Sequence, residues 1–144
     1  MTLVSDQLSK FLIITRFNPS ESIPLIPSVL HLTYVQNTGA AFGLLKGQQV
    51  FFVGFSLAVI AWMCWELCTK PTKEALVVWG CALVLGGAIG NLIDRVHFGY
   101  VVDFIDLRVW PVFNVGDSAI TVGVVLLILN TFFATGCGTR DTGL

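Results

Sequence analysis

The chain contains three apolar segments that are each long enough to cross a lipid bilayer as a helix. They cover about residues 49–68, 75–92 and 118–134, close to the roughly 20 residues that a transmembrane helix needs. Helix is the expected form because every backbone polar group inside lipid must be hydrogen-bonded within its own segment. Only 12% of the residues are charged, about half the share of a soluble domain. These features predict an integral membrane protein.

A fourth helix is expected at about residues 1–17, although charged residues interrupt it. Asp6 and Lys10 are four positions apart, so they share one face of a helix and can pair inside a bundle. The segment is short for a span, and we therefore expect a first helix that lacks its N-terminal turns. The predicted fold class is an all-α integral membrane protein with four transmembrane helices, forming a single domain over residues 1–144.

Two longer polar segments, at about residues 18–48 and 94–117, connect the helices on one side of the bilayer. Lysine and arginine in short loops favour the cytoplasmic side. Lys70 and Lys73 in the tight linker, with Arg140 in the tail, therefore place the two longer segments outside the cytoplasm. The longer segments also carry basic residues of their own: Lys46, Arg95 and Arg108.

Both outer segments contain a short run that is rich in β-branched and aromatic residues. One run covers Val29 to Val35 and the other Tyr100 to Val109. This composition is typical of strands. The sequence therefore predicts small extracytoplasmic strands and loops beside the helices.

Two aspartates lie in and beside the second outer segment. Asp103 stands within the strand-like run YVVDFIDL, and Asp117 directly precedes the last apolar helix. Taken singly, Asp117 is also typical of a helix N-cap, and Asp103 of an exposed loop charge. A carboxylate near membrane depth is costly, which favours a function and a partner. Two facing carboxylates share one proton, so that the ionised member can activate water and the protonated member can polarise a carbonyl.

Further polar residues near the helix ends could orient such a pair. These candidates are Asn37, Asn91, Asp94, Arg95 and Asn114. No cofactor or metal is expected, because His31 and His97 are too few for a zinc or haem site and the cysteines suit apolar packing. The net charge of −1 has no basic block, which argues against nucleic acid as a partner.

Two other functions fit the same polar residues. A small proton- or ion-coupled transporter would use a relay of charged side chains. That relay would contain Asp6, Lys10, Asp103 and Asp117. Against it, the acids cluster in loops and at helix ends rather than at the middle of the bilayer. A structural membrane subunit would use the polar residues only to hold helices together.

Five sequence blocks, in this order, resemble those of bacterial lipoprotein signal peptidase, also called signal peptidase II. They are DQLSK (Asp6–Lys10), NTGAAF (Asn37–Phe42), GGAIGNLIDR (Gly86–Arg95), VVDF (Val101–Phe104) and FNVGDS (Phe113–Ser118). The resemblance implies a four-helix membrane aspartic endopeptidase of the bacterial cytoplasmic (inner) membrane, with its active site toward the extracytoplasmic face. Its partners would be membrane lipids and a prolipoprotein, whose signal peptide is cleaved just before the diacylglyceryl-modified cysteine. A monomer is expected.

The resemblance also implies roles for individual residues. The catalytic pair would be Asp103 and Asp117. The supporting residues would be Asp6, Lys10, Asn37, Asn91, Asp94, Arg95 and Asn114. Gly116 departs from the family, which usually has alanine there, and the first helix is short. Gly86 and Gly90 form a GxxxG spacing, which favours close packing of helices without a ligand.

Overall fold

A computed structural model of the chain describes residues 1–39, 47–72 and 74–137. The described residues form four helices and three strands. The helices are α1 (Thr2–Arg16), α2 (Gln49–Thr69), α3 (Ala75–Phe98) and α4 (Val115–Cys137), and the strands are β1 (Ser22–Ile26), β2 (Leu30–Asn37) and β3 (Val101–Asp106). The end of the NTGAAF block, Lys46, Lys73 and Arg140 lie outside the described residues.

Three of the described helices are long and apolar enough to cross a membrane. These spans are Gln49–Thr69, Ala75–Phe98 and Val115–Phe133. The mostly helical fold with a small sheet is thus as predicted, and α3 continues past Leu92 to Phe98. The shortest helix, α1, has 15 residues, or about 22 Å, and is not among the spans. The prediction of a fourth transmembrane helix is therefore not supported by helix length.

Helix α3 lies at the centre of the bundle, and glycines allow its neighbours to approach closely. A Cβ atom added at Gly90 would lie 2.2 Å from Asp6 Oδ2, and one at Gly86 would lie 2.8 Å from Thr2 Cβ. The GxxxG pair therefore provides the surface on which α1 packs. Gly87 faces the start of α4, because its added Cβ would lie 2.3 Å from the carbonyl oxygen of Gly116.

The three strands form an antiparallel sheet in the order β1-β2-β3. Strands β2 and β3 correspond to the two predicted strands, and Val35 pairs with Asp103 in their register. Strand β3 ends at Asp106, because Arg108 adopts a left-handed backbone conformation with φ 66°. Strand β1 was not predicted from the sequence. It is an edge strand whose five residues are all exposed, and it contains Pro24, a residue that edge strands tolerate.

One face of the sheet packs on the end of α1. Tyr34, Val102 and Phe104 form a buried cluster with Ile13 of that helix. Because side chains alternate along a strand, Asp103 points away from this cluster. The opposite face of the sheet therefore meets the ends of α3 and α4, and the site described next lies at that junction.

Candidate active site

Asp103 is buried on β3, with both carboxylate oxygens hydrogen-bonded. Its side chain is 2% exposed. The Asn37 side-chain amide donates to Oδ2 at 2.9 Å, and that of Asn114 donates to Oδ1 at 2.7 Å. Burial, followed by the charge of Asp117, raises the pKa of Asp103 to about 7, against the opposing effect of the two amides. This carboxyl can therefore carry a proton near neutral pH.

Asp117 lies in the first turn of α4, in a reciprocal pair with Asn114. The Asp117 backbone N–H donates to Asn114 Oδ1 at 2.9 Å, and the Asn114 backbone N–H donates to Asp117 Oδ2 at 3.3 Å. This is a capping box, in which Asn114 is the N-cap. The alternative that Asp117 is itself the N-cap is therefore wrong. Its second oxygen, Oδ1, accepts a hydrogen bond from the Asn91 amide at 2.8 Å.

Asn114 connects the two aspartates and is fully buried. Its side-chain amide donates to Asp103 and also to Asn91 Oδ1, at 3.1 Å. Its exposure is 0%. Asp103 and Asp117 line one cavity of about 380 Å³. The structure thus brings the predicted pair to a single pocket and holds both carboxyls through the same asparagine.

A buried ion cluster lies behind the pocket. Lys10 Nζ contacts Asp6 Oδ2 and Asp94 Oδ2, both at 2.9 Å, and donates to Asn91 Oδ1 at 2.8 Å. The ammonium group has three protons, so all three are used. Because Lys10 occupies the oxygen of Asn91, the amide nitrogen of Asn91 is left to point at Asp117. The pairing of Asp6 with Lys10 on one helix face was predicted, and the structure adds Asp94 from α3.

The two acids of the ion cluster also hold the backbones that carry the catalytic candidates. Asp6 Oδ1 accepts a hydrogen bond from the Gly116 N–H at 2.7 Å, at the start of α4. Asp94 Oδ2 accepts one from the Val102 N–H at 3.1 Å, next to Asp103 on β3. The ion cluster therefore fixes the positions of α4 and β3 relative to α1 and α3.

Gln7 is a member of this network that sequence reasoning missed. Its side-chain amide donates to Asp94 Oδ1 at 3.0 Å and to the carbonyl oxygen of Gly90 at 3.1 Å. The signal available in the sequence was its place within DQLSK, three residues before Lys10 on the same side of a helix.

Arg95 lies in the last turn of α3 and lines the same pocket as the two aspartates. Its guanidinium carbon lies 5.1 Å from the ring centre of Phe52, a cation–π contact. Its backbone carbonyl accepts a hydrogen bond from the Gln49 side chain. These contacts hold the start of α2 against the end of α3, with a positive charge facing the two carboxyls.

The predicted site residues are therefore found together. Eight of the nine belong to one hydrogen-bond network, and the ninth, Arg95, lines the pocket. The eight are Asp6, Lys10, Asn37, Asn91, Asp94, Asp103, Asn114 and Asp117.

Known sequences resemble this chain over most of its length. The family model described as signal peptidase (SPase) II matches residues 1–133. A lipoprotein signal peptidase of Moorella thermoacetica is 50% identical over 136 residues, which cover 94% of this chain and 91% of that protein. Another, from Halothermothrix orenii, is 46% identical over 129 residues, covering 90% and 88%. These similarities do not support the transporter alternative.

Solved structures also resemble this chain over nearly its whole length. A bacterial membrane enzyme determined by the in meso method at 2.3 Å matches with a TM-score of 0.90 and 31% identity, covering 99% of this chain and 90% of that one. A second, determined at 1.9 Å, matches with a TM-score of 0.82 and 32% identity, covering 98% and 89%. With its apolar helices, this chain is a membrane protein, and it belongs to the signal peptidase II family.

Proposed function

We propose that this chain is an aspartic endopeptidase that removes signal peptides from prolipoproteins by cleaving just before a diacylglyceryl-modified cysteine. The observation that carries the proposal is the pair Asp103, which is buried, and Asp117, which is half-buried, in one pocket and held by one asparagine. A pair of this kind holds one proton between its members and titrates as a unit. No further group is needed to activate water.

The surroundings of the two acids differ, and the difference assigns the shared proton to Asp103 rather than to Asp117. Asp103, with its pKa near 7, is the proton carrier. Asp117 accepts hydrogen bonds from Asn91 and from a backbone N–H in the first turn of α4, and the positive end of the helix dipole favours its ionised form. Asp117 is therefore assigned as the general base and Asp103 as the general acid.

The reaction then proceeds in two proton-balanced steps. Asp117 takes a proton from water while the water oxygen attacks the scissile carbonyl carbon and Asp103 gives its proton to the carbonyl oxygen. In the second step the carbon–nitrogen bond breaks. Asp117 returns its proton to the departing amine of the cysteine, and one hydroxyl of the intermediate returns a proton to Asp103. Both carboxyls end in their starting states.

The surroundings of Asp117 fit a lipid-modified substrate. Two further cavities, of about 430 and 360 Å³, both reach this residue. One is lined largely by Leu107, Trp110 and Phe113, and the other by apolar side chains of α2 and α3. A substrate with acyl chains and an apolar peptide needs two apolar surfaces that meet at the scissile bond.

We also propose the placement of the chain in the bacterial inner membrane. Helix α1 would be a fourth transmembrane helix, since Leu8, Phe11 and Leu12 are exposed while Asp6 and Lys10 are buried. Lys70, in the linker between α2 and α3, favours the cytoplasmic side. The pocket with Asp103 would then face the extracytoplasmic side. The protein would act as a single-domain monomer over residues 1–144.

Cleavage by the purified protein in detergent micelles tests the proposed function. The substrate is a prolipoprotein carrying diacylglyceryl-cysteine, with its unlipidated form in parallel. Asp103→Asn and Asp117→Asn should each lower the rate by at least roughly 100-fold. Asp106→Asn is the matched control, because this buried aspartate on the same strand bonds to Thr33 and Arg108 instead. Full cleavage by either pair variant would contradict the assignment.

A further inference from the structure

A fourth cavity lies at the other end of the bundle from the candidate active site. It has a volume of about 390 Å³ and is lined by α2, α3 and α4. We call it the inner cavity, and its polar lining includes Glu66, Lys70 and Asn130. In α4, Asn130 follows Asp117 by about 13 residues, which corresponds to about 20 Å along the helix axis.

The inner cavity and the apolar cavity that reaches Asp117 both lie between α2 and α4. The apolar cavity that reaches Asp117 is lined by Val59 and Val84, and the inner cavity is lined by Met63 and Leu127. These four side chains belong to the same packed cluster. Across the whole of α2, which the structure describes in full, Met63 is the one buried residue. Most of the surface of α2 is therefore not enclosed by the rest of the described chain, and it is available to lipid or to another apolar helix.

Carboxylates stand at the rim of the inner cavity. Glu66 pairs with Lys70 at 2.8 Å, with side chains 38% and 69% exposed. An ion pair this exposed contributes little to stability, so an incoming ammonium group can replace Lys70. The second carboxylate, Glu74, accepts a hydrogen bond at 2.7 Å from the neutral amide of Asn130. Both can receive a positively charged peptide.

The chemistry and the spacing match one part of a secretory signal peptide. Such peptides have a positively charged n-region followed by an apolar h-region of roughly 7–15 residues before the cleavage site. A helical h-region of about 13 residues covers about 20 Å, the separation between Asp117 and Asn130 along α4. We infer that the inner cavity binds the basic n-region while the scissile bond lies between Asp103 and Asp117. This inference rests on the proposed function.

Kinetics with two matched substrates test the inference. The substrates are lipidated prolipoproteins that differ only in their n-regions, one with lysines and the other with glutamines. With the wild-type protein, KM should be about 3- to 5-fold lower for the basic substrate, with equal kcat, as expected for exposed ion pairs. The ratio of interest is the KM of the glutamine substrate divided by the KM of the lysine substrate. Glu66→Gln should bring this ratio toward one. Lys70→Gln should increase it, because the change removes the cation that competes for Glu66.

Two controls test whether the inner cavity, and no other part of the protein, causes the difference in KM between the two substrates. Glu21→Gln removes a partly exposed carboxylate that bonds to Asn18 on the sheet side of the molecule, and it should leave the ratio unchanged. Lengthening the h-region by four residues shifts the n-region by about 6 Å along the helix axis. Like Glu66→Gln, this change should reduce the ratio. Both controls use the full chain in micelles.

The outcomes that overturn the inference differ from those that overturn the proposed function. If both substrates are cleaved with equal KM, or if Glu66→Gln raises both KM values alike, the n-region does not bind at Glu66. If the ratio depends on anionic lipid in the micelles and is unaffected by Glu66→Gln, lipid headgroups hold the n-region instead. If the wild-type protein cleaves neither substrate, the proposed function itself fails.

Discussion

The side-chain amide of Asn114 donates a 2.7 Å hydrogen bond to Asp103, and the same residue caps the helix that carries the second acid of the pocket. One side chain therefore sets the distance between a strand and a helix as well as the orientation of a carboxyl. Loss of this side chain should therefore disturb both acids at once.

Asn114→Ala should lower both stability and the rate of cleavage. The change removes an N-cap, which costs about 1 kcal/mol, and leaves a buried oxygen of Asp103 without its donor, which costs about 1–3 kcal/mol. Thermal unfolding in micelles measures the loss of stability, and cleavage kinetics measure the loss of rate. Asn18→Ala, at an exposed position outside the pocket, is the control. A variant with wild-type rate and stability would show that Asn114 positions neither acid.

Lys10→Met should destabilise the protein far more than Lys70→Met. Lys10 is 2% exposed and its loss leaves Asp6 and Asp94 buried without their cation. Removing one partner of a buried ion pair typically costs about 3–5 kcal/mol. Lys70 is the matched control, since its pair with Glu66 is exposed. The measurement is the unfolding temperature of both variants, and equal shifts would contradict a structural role for the ion cluster.

The cleavage rate should fall as the pH rises above about 7. In the proposed mechanism Asp103 is the general acid and must be protonated, and its pKa is raised to about 7. A profile of kcat/KM between pH 5 and 9 should show this descending limb. A profile that stays flat to pH 9 would contradict the assignment of Asp103 as proton carrier.

The same raised pKa should make folding stability depend on pH. The folded state holds the Asp103 proton more tightly than the unfolded chain, so this contribution is complete below the unfolded pKa of about 3.9 and is lost as the pH rises through about 7. Asp103→Asn lacks the titration. Its stability relative to the wild type should therefore increase from pH 4 to pH 8 in parallel unfolding measurements. If the difference in stability between the two proteins does not change with pH, the pKa of Asp103 is not raised.

Gly87→Ala should disrupt the bundle, whereas Gly116→Ala should be tolerated. The added Cβ at Gly87 would meet the carbonyl oxygen of Gly116 at 2.3 Å, and a helix backbone cannot easily move. At Gly116 the nearest atoms are side-chain and carbonyl oxygens at 3.0 and 3.1 Å, which require a shift of only a few tenths of an ångström. Expression and unfolding temperature compare the two variants. If Gly116→Ala lowers expression and the unfolding temperature more than Gly87→Ala does, α3 and α4 do not pack as described.

The parts of the structure that follow from periodicity and composition could be predicted from the sequence. Apolar length predicted α2, α3 and α4, because lipid leaves the backbone few alternatives to helix. The pairing of Asp6 with Lys10 followed from helical spacing, and the partnership of Asp103 with Asp117 from the cost of isolated carboxylates. Those predictions depend on local geometry or on single-residue energetics.

Contacts between segments that are far apart in the sequence could not be predicted. Lys10 bonds to Asn91, which is 81 positions away, and no local pattern specifies that partner. Strand β1 was missed because Pro24 weakens a strand signal and because its pairing with β2 depends on a turn at residues 27–29. The N-cap of α4 was misplaced by three residues, since Asn114 and Asp117 are both good caps.

The 2.7 Å hydrogen bond from Gly116 to Asp6 joins atoms 110 positions apart, and its consequence concerns biosynthesis. Asp6 is synthesised 110 residues before Gly116, so this bond can form only after the intervening helices and strands have been made. The walls of the pocket are therefore assembled in a fixed order, in which α1 and α3 are present before α4 docks against them.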